Sequence, residues 1–227
     1  MKRSVIEEGA KDNFPPDNQI IKGEYKGKGT FIDPPITFDE FRMFLAKCLA
    51  ETCVTDEAFQ KPMWKKHGDR GLEYALEDLG KIMRRAHKRG NKVIFIGNGG
   101  SSAIASHMAV DYSKNGGIRS IAFNDAPTLT CLANDFGYEH VFAKQLEFYA
   151  TKGDVVVIVS SSGKSPNILR AAEQAQGMGL DLVTFTGMNP DNALRKMGSM
   201  NFYTSCSDYG LVELTHLALL HSIVSVP

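Results

Sequence analysis

A strand, a glycine turn and a helix follow one another in residues 93–102, which read Val93-Ile94-Phe95-Ile96-Gly97-Asn98-Gly99-Gly100-Ser101-Ser102. The apolar run has the length of a buried strand, and the glycines allow positive φ angles and a close approach of the backbone to a ligand. A helix that starts here offers free N–H groups and the positive end of its dipole to an anion. The turn lacks the GxGxxG spacing of dinucleotide-binding folds and the Gly-Lys-Ser/Thr of a Walker A loop. A tight turn with a serine N-cap would explain the same residues equally well.

Apolar runs of strand length recur along the chain and alternate with helical patterns. The predicted strands are residues 93–96, 121–123, 155–159, 182–185 and 202–204. The predicted helices in this part of the chain are residues 103–113, 141–150, 167–178 and 211–224. This alternation predicts an α/β fold with a parallel five-stranded sheet flanked by helices on both faces. Such sheets bind ligands at the carboxyl ends of their strands, where the glycine turn lies.

The chain before the sheet has a different texture. Residues 1–36 contain two Pro-Pro pairs and no sustained periodicity, and we interpret them as an extended N-terminal arm. Apolar spacing predicts helices over residues 38–53 and 69–90, which we expect to form an antiparallel pair. The predicted organisation is therefore an arm over residues 1–36 and one domain over residues 37–227 that includes this helical pair.

The composition limits the possible function classes. Lys plus Arg equals Asp plus Glu at 26 each, and a chain without excess positive charge is not expected to bind nucleic acid. The four cysteines form no CxxC pair, which favours free thiols in a reducing compartment. The apolar runs are far shorter than a membrane span, and the N-terminus has no apolar stretch typical of a secretory signal. We therefore expect a cytoplasmic protein with neither a membrane nor a nucleic-acid partner.

A second polar turn follows the strand predicted over residues 155–159, and it reads Ser160-Ser161-Ser162-Gly163-Lys164-Ser165-Pro166-Asn167. It gathers hydroxyl and backbone donors at a strand-to-helix junction, and such donors are what phosphate oxygens bind. An N-cap by Ser165, with Pro166 at the first helical position, would explain those two residues. It would leave the three preceding serines unexplained. We therefore predict that this turn holds a phosphate group.

Two helices carry ionisable residues at helical spacing. His107 and Asp111 lie four residues apart on the helix that begins at the glycine turn. Glu213 and His221 lie eight apart on the C-terminal helix, with His216 one turn from Glu213. Two histidines and two carboxylates suit a divalent metal such as zinc, and they suit proton transfer equally well. Taken singly, each histidine is more readily explained as an ordinary core or surface residue.

In this order, the motifs resemble the sugar isomerase (SIS) domain of phosphoheptose isomerases. The resemblance spans roughly residues 70–224 and rests on the glycine turn, His107, Asn134-Asp135-Phe136-Gly137, the serine turn, and Glu213 with His221. It implies a flavodoxin-like three-layer sandwich and an aldose–ketose isomerase. The implied reaction converts sedoheptulose 7-phosphate to D-glycero-D-manno-heptose 7-phosphate through an enediol, for lipopolysaccharide or capsule biosynthesis. A homotetramer with active sites at subunit interfaces, and zinc, are also implied.

The resemblance further implies roles for individual residues. Asp111 and His221 would be catalytic, with Asp111 at the position of the family's glutamate base. The metal would be held by His107, Asp111, Glu213 and His221. Glu213 stands where the family has glutamine, and its extra negative charge should favour a divalent ion. The substrate would contact Asn98, Gly99, Gly100, Ser101, Asn134, Asp135, Ser160, Ser161, Ser162, Ser165 and Glu213.

Other functions fit the same motifs. The phosphate turns do not define the length of the sugar, so the chain could isomerise another ketose phosphate. A non-catalytic SIS protein that acts as an adaptor or binds a sugar phosphate is a second alternative. The retained group of His107, Asp111, Glu213 and His221 argues against a purely structural role, because an adaptor does not need it. A dinucleotide-binding dehydrogenase is disfavoured, since the second predicted strand, residues 121–123, does not end in an Asp or Glu that would bind a ribose.

Overall fold

The computed structural model describes residues 37–56 and 71–225. The arm predicted for residues 1–36 lies outside the described residues, so the division of the chain at residue 36 stays a prediction. The strands are β1 (Cys53–Asp56), β2 (Val93–Gly97), β3 (Ser120–Ala122), β4 (Val155–Ser160), β5 (Asp181–Thr186) and β6 (Met200–Tyr203). The α-helices are α1 (Phe38–Ala50), α2 (Gly71–Lys88), α3 (Gly99–Lys114), α4 (Ala126–Phe136), α5 (Val141–Tyr149), α6 (Pro166–Gly177) and α7 (Tyr209–Ser225).

The strands form one sheet in the order β1-β6-β5-β4-β2-β3. Strands β2 to β6 are parallel, which confirms the predicted five-stranded parallel sheet. A sixth strand, β1, pairs antiparallel with β6 at the edge. The prediction missed β1 because its four residues contain no apolar run, and an edge strand does not need one.

The first predicted helix ends earlier than we expected. It covers Phe38–Ala50 and not residues 38–53, because the chain turns at Glu51 and enters β1 at Cys53. The buried Thr52 hydroxyl donates to the Cys48 carbonyl (2.7 Å) and lies 3.2 Å from the Thr204 hydroxyl. Helices α1 and α2, which we expected to pair with each other, both pack against α7.

Helices cover both faces of the sheet. One core contains Phe95 and Val157 of the sheet with side chains of α2, α3 and α7. The other contains Ile94 and Ile158 with side chains of α4, α5 and α6. Side chains alternate between the two faces of a strand, so each central strand contributes to both cores. The predicted three-layer arrangement is therefore confirmed.

One helix of the outer layers was not predicted. Helix α4 begins after Asp125, whose carboxylate accepts hydrogen bonds from the N–H (3.0 Å) and hydroxyl (2.6 Å) of Thr128. Pro127 in the first helical turn is a further start signal. Among the helices of residues 37–56 and 71–225, none combines the length and the hydropathy that a membrane span requires.

Candidate active site

Both predicted phosphate turns lie where the order of the strands reverses. Strands β2 and β4 are neighbours, and the chain leaves β2 towards β3 on one side of the sheet and continues from β4 towards β5 on the other. The connections that leave two such strands diverge and open a crevice at their carboxyl ends. The glycine turn follows β2 and the serine turn follows β4, so both face this crevice.

The two turns are joined by a pair of side-chain amides. Asn98 donates from Nδ2 to Oδ1 of Asn167 (2.9 Å), and Asn167 donates from Nδ2 to Oδ1 of Asn98 (2.9 Å). Asn98 is the N-cap residue of α3, but its side chain makes no capping hydrogen bond. The N–H groups of the first turn of α3 therefore stay available to a ligand.

The glycines of the first turn have separate structural roles. Gly99 has a φ of 55°, a left-handed conformation that favours glycine. Gly100 lies against the carboxylate of Glu213, and a β-carbon there would overlap Glu213 Oε2. Ser101, the fourth predicted substrate contact of this turn, is 4% exposed. The glycine turn thus brings α3 and α7 together at the edge of the crevice.

Within the described residues, the serine turn leaves some of its hydroxyl groups without an internal partner. Ser160 Oγ accepts a hydrogen bond from the Gly163 N–H (3.2 Å). Ser161 Oγ is buried and has no hydrogen-bond partner in the described part of the chain. Ser162 is half-buried. Ser165 is the N-cap residue of α6 and makes no side-chain capping bond, so simple capping does not explain this serine either.

The electrostatics of the crevice centre on Glu213. Burial raises the pKa of this carboxyl, and the negative charge of Asp208 raises it further. Asp208 has a local role as well, because its Oδ1 accepts a hydrogen bond from the Leu211 N–H (2.9 Å) at the start of α7. Glu213 is therefore positioned by the start of α7 and by its contact with Gly100 of α3.

A second group of ionisable residues joins α3 and α7 further along the helices. His107 Nε2 lies 3.1 Å from His221 Nε2 and 3.6 Å from Asp111 Oδ2. His221 Nδ1 lies 3.4 Å from the same Asp111 oxygen. Asn115 Nδ2 donates to Asp111 Oδ1 (3.2 Å), which orients the carboxylate. The structure thus brings together three of the four residues predicted to bind metal.

The donor set of this group fits a divalent metal. One ligand atom from each of His107, Asp111 and His221 can lie within 4.8 Å of the other two. Tetrahedral zinc with ligand bonds of about 2.0–2.1 Å requires ligand atoms roughly 3.3 Å apart. The distances from His107 Nε2 to His221 Nε2 (3.1 Å) and to Asp111 Oδ2 (3.6 Å) are close to this value. Two imidazoles and a carboxylate are a ligand set that zinc accepts. Glu213, the fourth predicted ligand, lies outside this group and against Gly100.

Other predicted residues are placed away from both groups. Asn134 and Asp135 are exposed near the end of α4, where Asn134 Nδ2 donates to Asp135 Oδ1 (2.9 Å). His216 is fully buried, and its Nε2 lies 3.1 Å from the Thr186 carbonyl at the end of β5. Burial lowers the pKa of His216 to about 4, so this imidazole is neutral at pH 7. It contacts the carboxyl end of β5 and does not join the His107 group.

The prediction missed two residues that position the site. Asn167 locks the two turns together, and it directly follows the Ser-Pro start of α6. Asn115 orients Asp111 from four residues further along α3, a spacing at which side chains meet. The i,i+4 spacing could have revealed Asn115. The amide pair could not be found from spacing, because its members are 69 residues apart.

Comparison with known proteins identifies the class to which this fold and site belong. The family model of the SIS domain matches residues 66–187. These residues include both turns and the helix that carries His107 and Asp111. The chain is therefore a SIS domain protein.

Relatives of similar sequence define the family within this class. A phosphoheptose isomerase of Bradyrhizobium sp. (strain BTAi1) is 37% identical over 157 residues, which are 65% of this chain and 79% of that protein. A phosphoheptose isomerase of Sodalis glossinidius is 42% identical over 158 residues, 66% of this chain and 80% of that protein. The chain belongs to the phosphoheptose isomerase family.

Solved structures agree at the level of the fold. A phosphoheptose isomerase from Francisella tularensis superposes with a TM-score of 0.67 at 23% identity, over 84% of this chain and 97% of that one. The enzyme from Neisseria gonorrhoeae gives a TM-score of 0.65, also at 23% identity, over 82% of this chain and 97% of that one. At this identity the match concerns the fold alone.

Proposed function

We propose that the protein is an aldose–ketose isomerase that converts sedoheptulose 7-phosphate to D-glycero-D-manno-heptose 7-phosphate. One observation carries the proposal: helix α3 begins in the phosphate turn and also carries His107 and Asp111, which meet His221 of α7. A phosphate anchor and a proton-transfer group are the two parts that an isomerase of phosphorylated sugars needs, and this chain carries both. The relatives named phosphoheptose isomerase support the choice of a heptose phosphate.

The phosphate of the substrate would bind at the serine turn. Ser160, Ser161, Ser162 and Ser165 supply hydroxyl groups, and the α6 N-terminus supplies backbone N–H groups and a positive dipole. The Asn98–Asn167 amide pair would hold this turn against the glycine turn, so that Ser101 faces the same ligand. Asn134 and Asp135 stay predicted sugar contacts, and their exposed position on α4 leaves them accessible to a second copy of the chain.

Proton transfer is proposed for Asp111 and His221. Asn115 orients the Asp111 carboxylate through Oδ1, while Oδ2 faces both histidines, and one of the two oxygens would take the proton beside the sugar carbonyl. His221 lies within reach of the same region and would return a proton to the sugar oxygen. A divalent ion such as zinc would be held by Asp111 Oδ2 and one nitrogen each of His107 and His221, and it would polarise the carbonyl. The second carboxylate oxygen of Asp111 and the second ring nitrogen of His221 would then remain for proton transfer.

The separation of the two groups supports a site shared between subunits. Along α3, at 1.5 Å per residue, Asp111 lies roughly 16 Å from Gly100. The exposed surface of these two helices carries Val110 of α3, next to Asp111, and Leu214 of α7, next to Glu213, which are 59% and 40% exposed. We propose a homotetramer in which one subunit's phosphate turns face another subunit's His107 group. Light scattering on the purified chain should give the mass of four copies.

The activity can be tested directly. Purified protein would be incubated with sedoheptulose 7-phosphate, and aldose formation followed by NMR, before and after chelation and with zinc restored. Conversion that requires the ion and is lost in His107→Ala supports the proposal, while His140→Ala, at a half-buried histidine of the opposite layer, controls for loss of an imidazole. If the protein converts only a different ketose phosphate, the proposed substrate is wrong and the proposed isomerisation stands. If the protein converts no ketose phosphate, the proposed isomerase activity is wrong.

The cellular setting is part of the same proposal. A heptose phosphate isomerase would act in the cytoplasm and supply heptose for lipopolysaccharide or capsule. Deletion of the gene that encodes this chain should then remove heptose from the surface polysaccharide, which compositional analysis of the extracted glycan would detect.

A further inference from the structure

Lys164 has an unusual position in the serine turn. It lies between Gly163, whose φ is 60°, and Ser165, the N-cap residue of α6. The side chain is exposed, and within the described residues it forms neither an ion pair nor a hydrogen bond. It is the one ionisable residue among residues 97–102 and 160–167, which make up the two turns.

The position is electrostatically unfavourable in the free protein. The N-terminus of a helix carries a partial positive charge, and a cation there is destabilising. The first turns of α3 and α6 contain no acidic residue that would offset Lys164. A bound anion would remove this repulsion. The positive charge of Lys164 is therefore unfavourable in the free protein and favourable once an anion is bound at this turn.

Two further features of the same turn point to an anionic ligand. Ser161 is 4% exposed, and its buried Oγ has no partner in the described part of the chain. Ser165 Oγ is also free of the capping bond that its position would allow. A buried polar atom without a partner is costly unless a ligand or water satisfies it.

We propose that Lys164 is a phosphate-binding residue that raises the affinity of the serine turn for the phosphate group of the substrate. This inference rests on the proposed function, since it assigns the phosphate of that substrate to this turn. Lys164 would contribute charge to ground-state binding and would not take part in proton transfer. Its loss should therefore raise KM and leave kcat unchanged.

The probe for the experiment is inorganic phosphate, titrated into the full chain by calorimetry. Lys164→Asn should weaken phosphate binding by about 1.5-fold to fivefold, the range of an exposed ion pair, and Lys164→Arg should retain most of it. The control is Lys152→Asn, an exposed lysine in the turn before β4 at the opposite end of the sheet, which should bind like the wild type. Salt should weaken wild-type binding more steeply than binding to Lys164→Asn.

Stability without phosphate separates this role from a merely structural one. Lys164→Asn should melt at the same temperature as the wild type or slightly higher without phosphate, because the repulsion at the helix end is gone. Equal phosphate affinity and equal salt dependence in Lys164→Asn and the wild type would overturn the inference, as would a wild type that binds no phosphate. If the wild type binds phosphate through Lys164 but converts no ketose phosphate, the inference stands and the proposed activity fails.

Discussion

The buried histidine of α7 predicts a measurable dependence of stability on pH. His216 is fully buried, its Nε2 lies 3.1 Å from the Thr186 carbonyl, and no partner within the described residues reaches its Nδ1. Nε2–H therefore donates to the carbonyl, and protonation of Nδ1 would place a charge in the core. Burial lowers the pKa from 6.5 to about 4.

The magnitude follows from these two pKa values. The unfolded chain binds a proton at His216 below pH 6.5, whereas the folded chain does so only near pH 4, so stability falls as the pH falls through this window. One pKa unit corresponds to about 1.4 kcal/mol, which gives a total loss of about 3 kcal/mol by pH 4. Between pH 7 and pH 5 the loss from this residue is about 2 kcal/mol.

The assay is urea unfolding at pH 7, 6 and 5, at one protein concentration, for the wild type and His216→Gln. Glutamine keeps an N–H that can donate to the Thr186 carbonyl but does not titrate. The wild type should lose about 2 kcal/mol more than the variant between pH 7 and pH 5. Parallel pH dependences in the two proteins would refute this account of His216.

Three further substitutions test other contacts. Burial raises the pKa of the Asp154 carboxyl, but its hydrogen bonds lower the pKa by more, so the net pKa is below the ordinary value. Asp154→Asn should reduce the free energy of unfolding, measured in urea at pH 7, by about 2–4 kcal/mol. The wild type should lose this advantage over the variant as the pH falls below 4. Gly100→Ala should displace the Glu213 carboxylate, so we expect the isomerisation rate to fall at least about tenfold while circular dichroism shows an intact fold. Asn98→Ala and Asn167→Ala should each cost about 1–2 kcal/mol, and the double variant little more than either alone, because both remove one amide pair.

The parallel sheet could be predicted because its strands are buried on both faces. Val155–Ser160 is buried throughout, and so is Val93–Gly97. Such strands appear in the sequence as continuous apolar runs that end in polar turns. Strand β1 could not be found in this way, since it owes its place to pairing with β6 and carries the sequence Cys53-Val54-Thr55-Asp56.

The candidate site could be predicted as far as local spacing extends. His107 and Asp111 lie on one helix face because they are four residues apart, and the structure places His107 Nε2 3.6 Å from Asp111 Oδ2. The shared helix face of Glu213 and His221 did not reveal that they belong to different groups, because it does not show how far apart two residues lie along the helix axis. At 1.5 Å per residue these two residues lie roughly 12 Å apart along α7. Glu213 accordingly contacts the glycine turn while His221 joins the His107 group.

The most direct test of the central claim follows proton exchange by the wild type and by Asp111→Asn. Both proteins would be incubated with sedoheptulose 7-phosphate in deuterated water, and NMR would record aldose formation and deuterium at the carbon beside the carbonyl. We predict that the wild type forms aldose with deuterium at this carbon, and that Asp111→Asn is slower by at least about a hundredfold. A wild type that neither converts the sugar nor exchanges its proton, or an Asp111→Asn variant as fast as the wild type, would contradict the account.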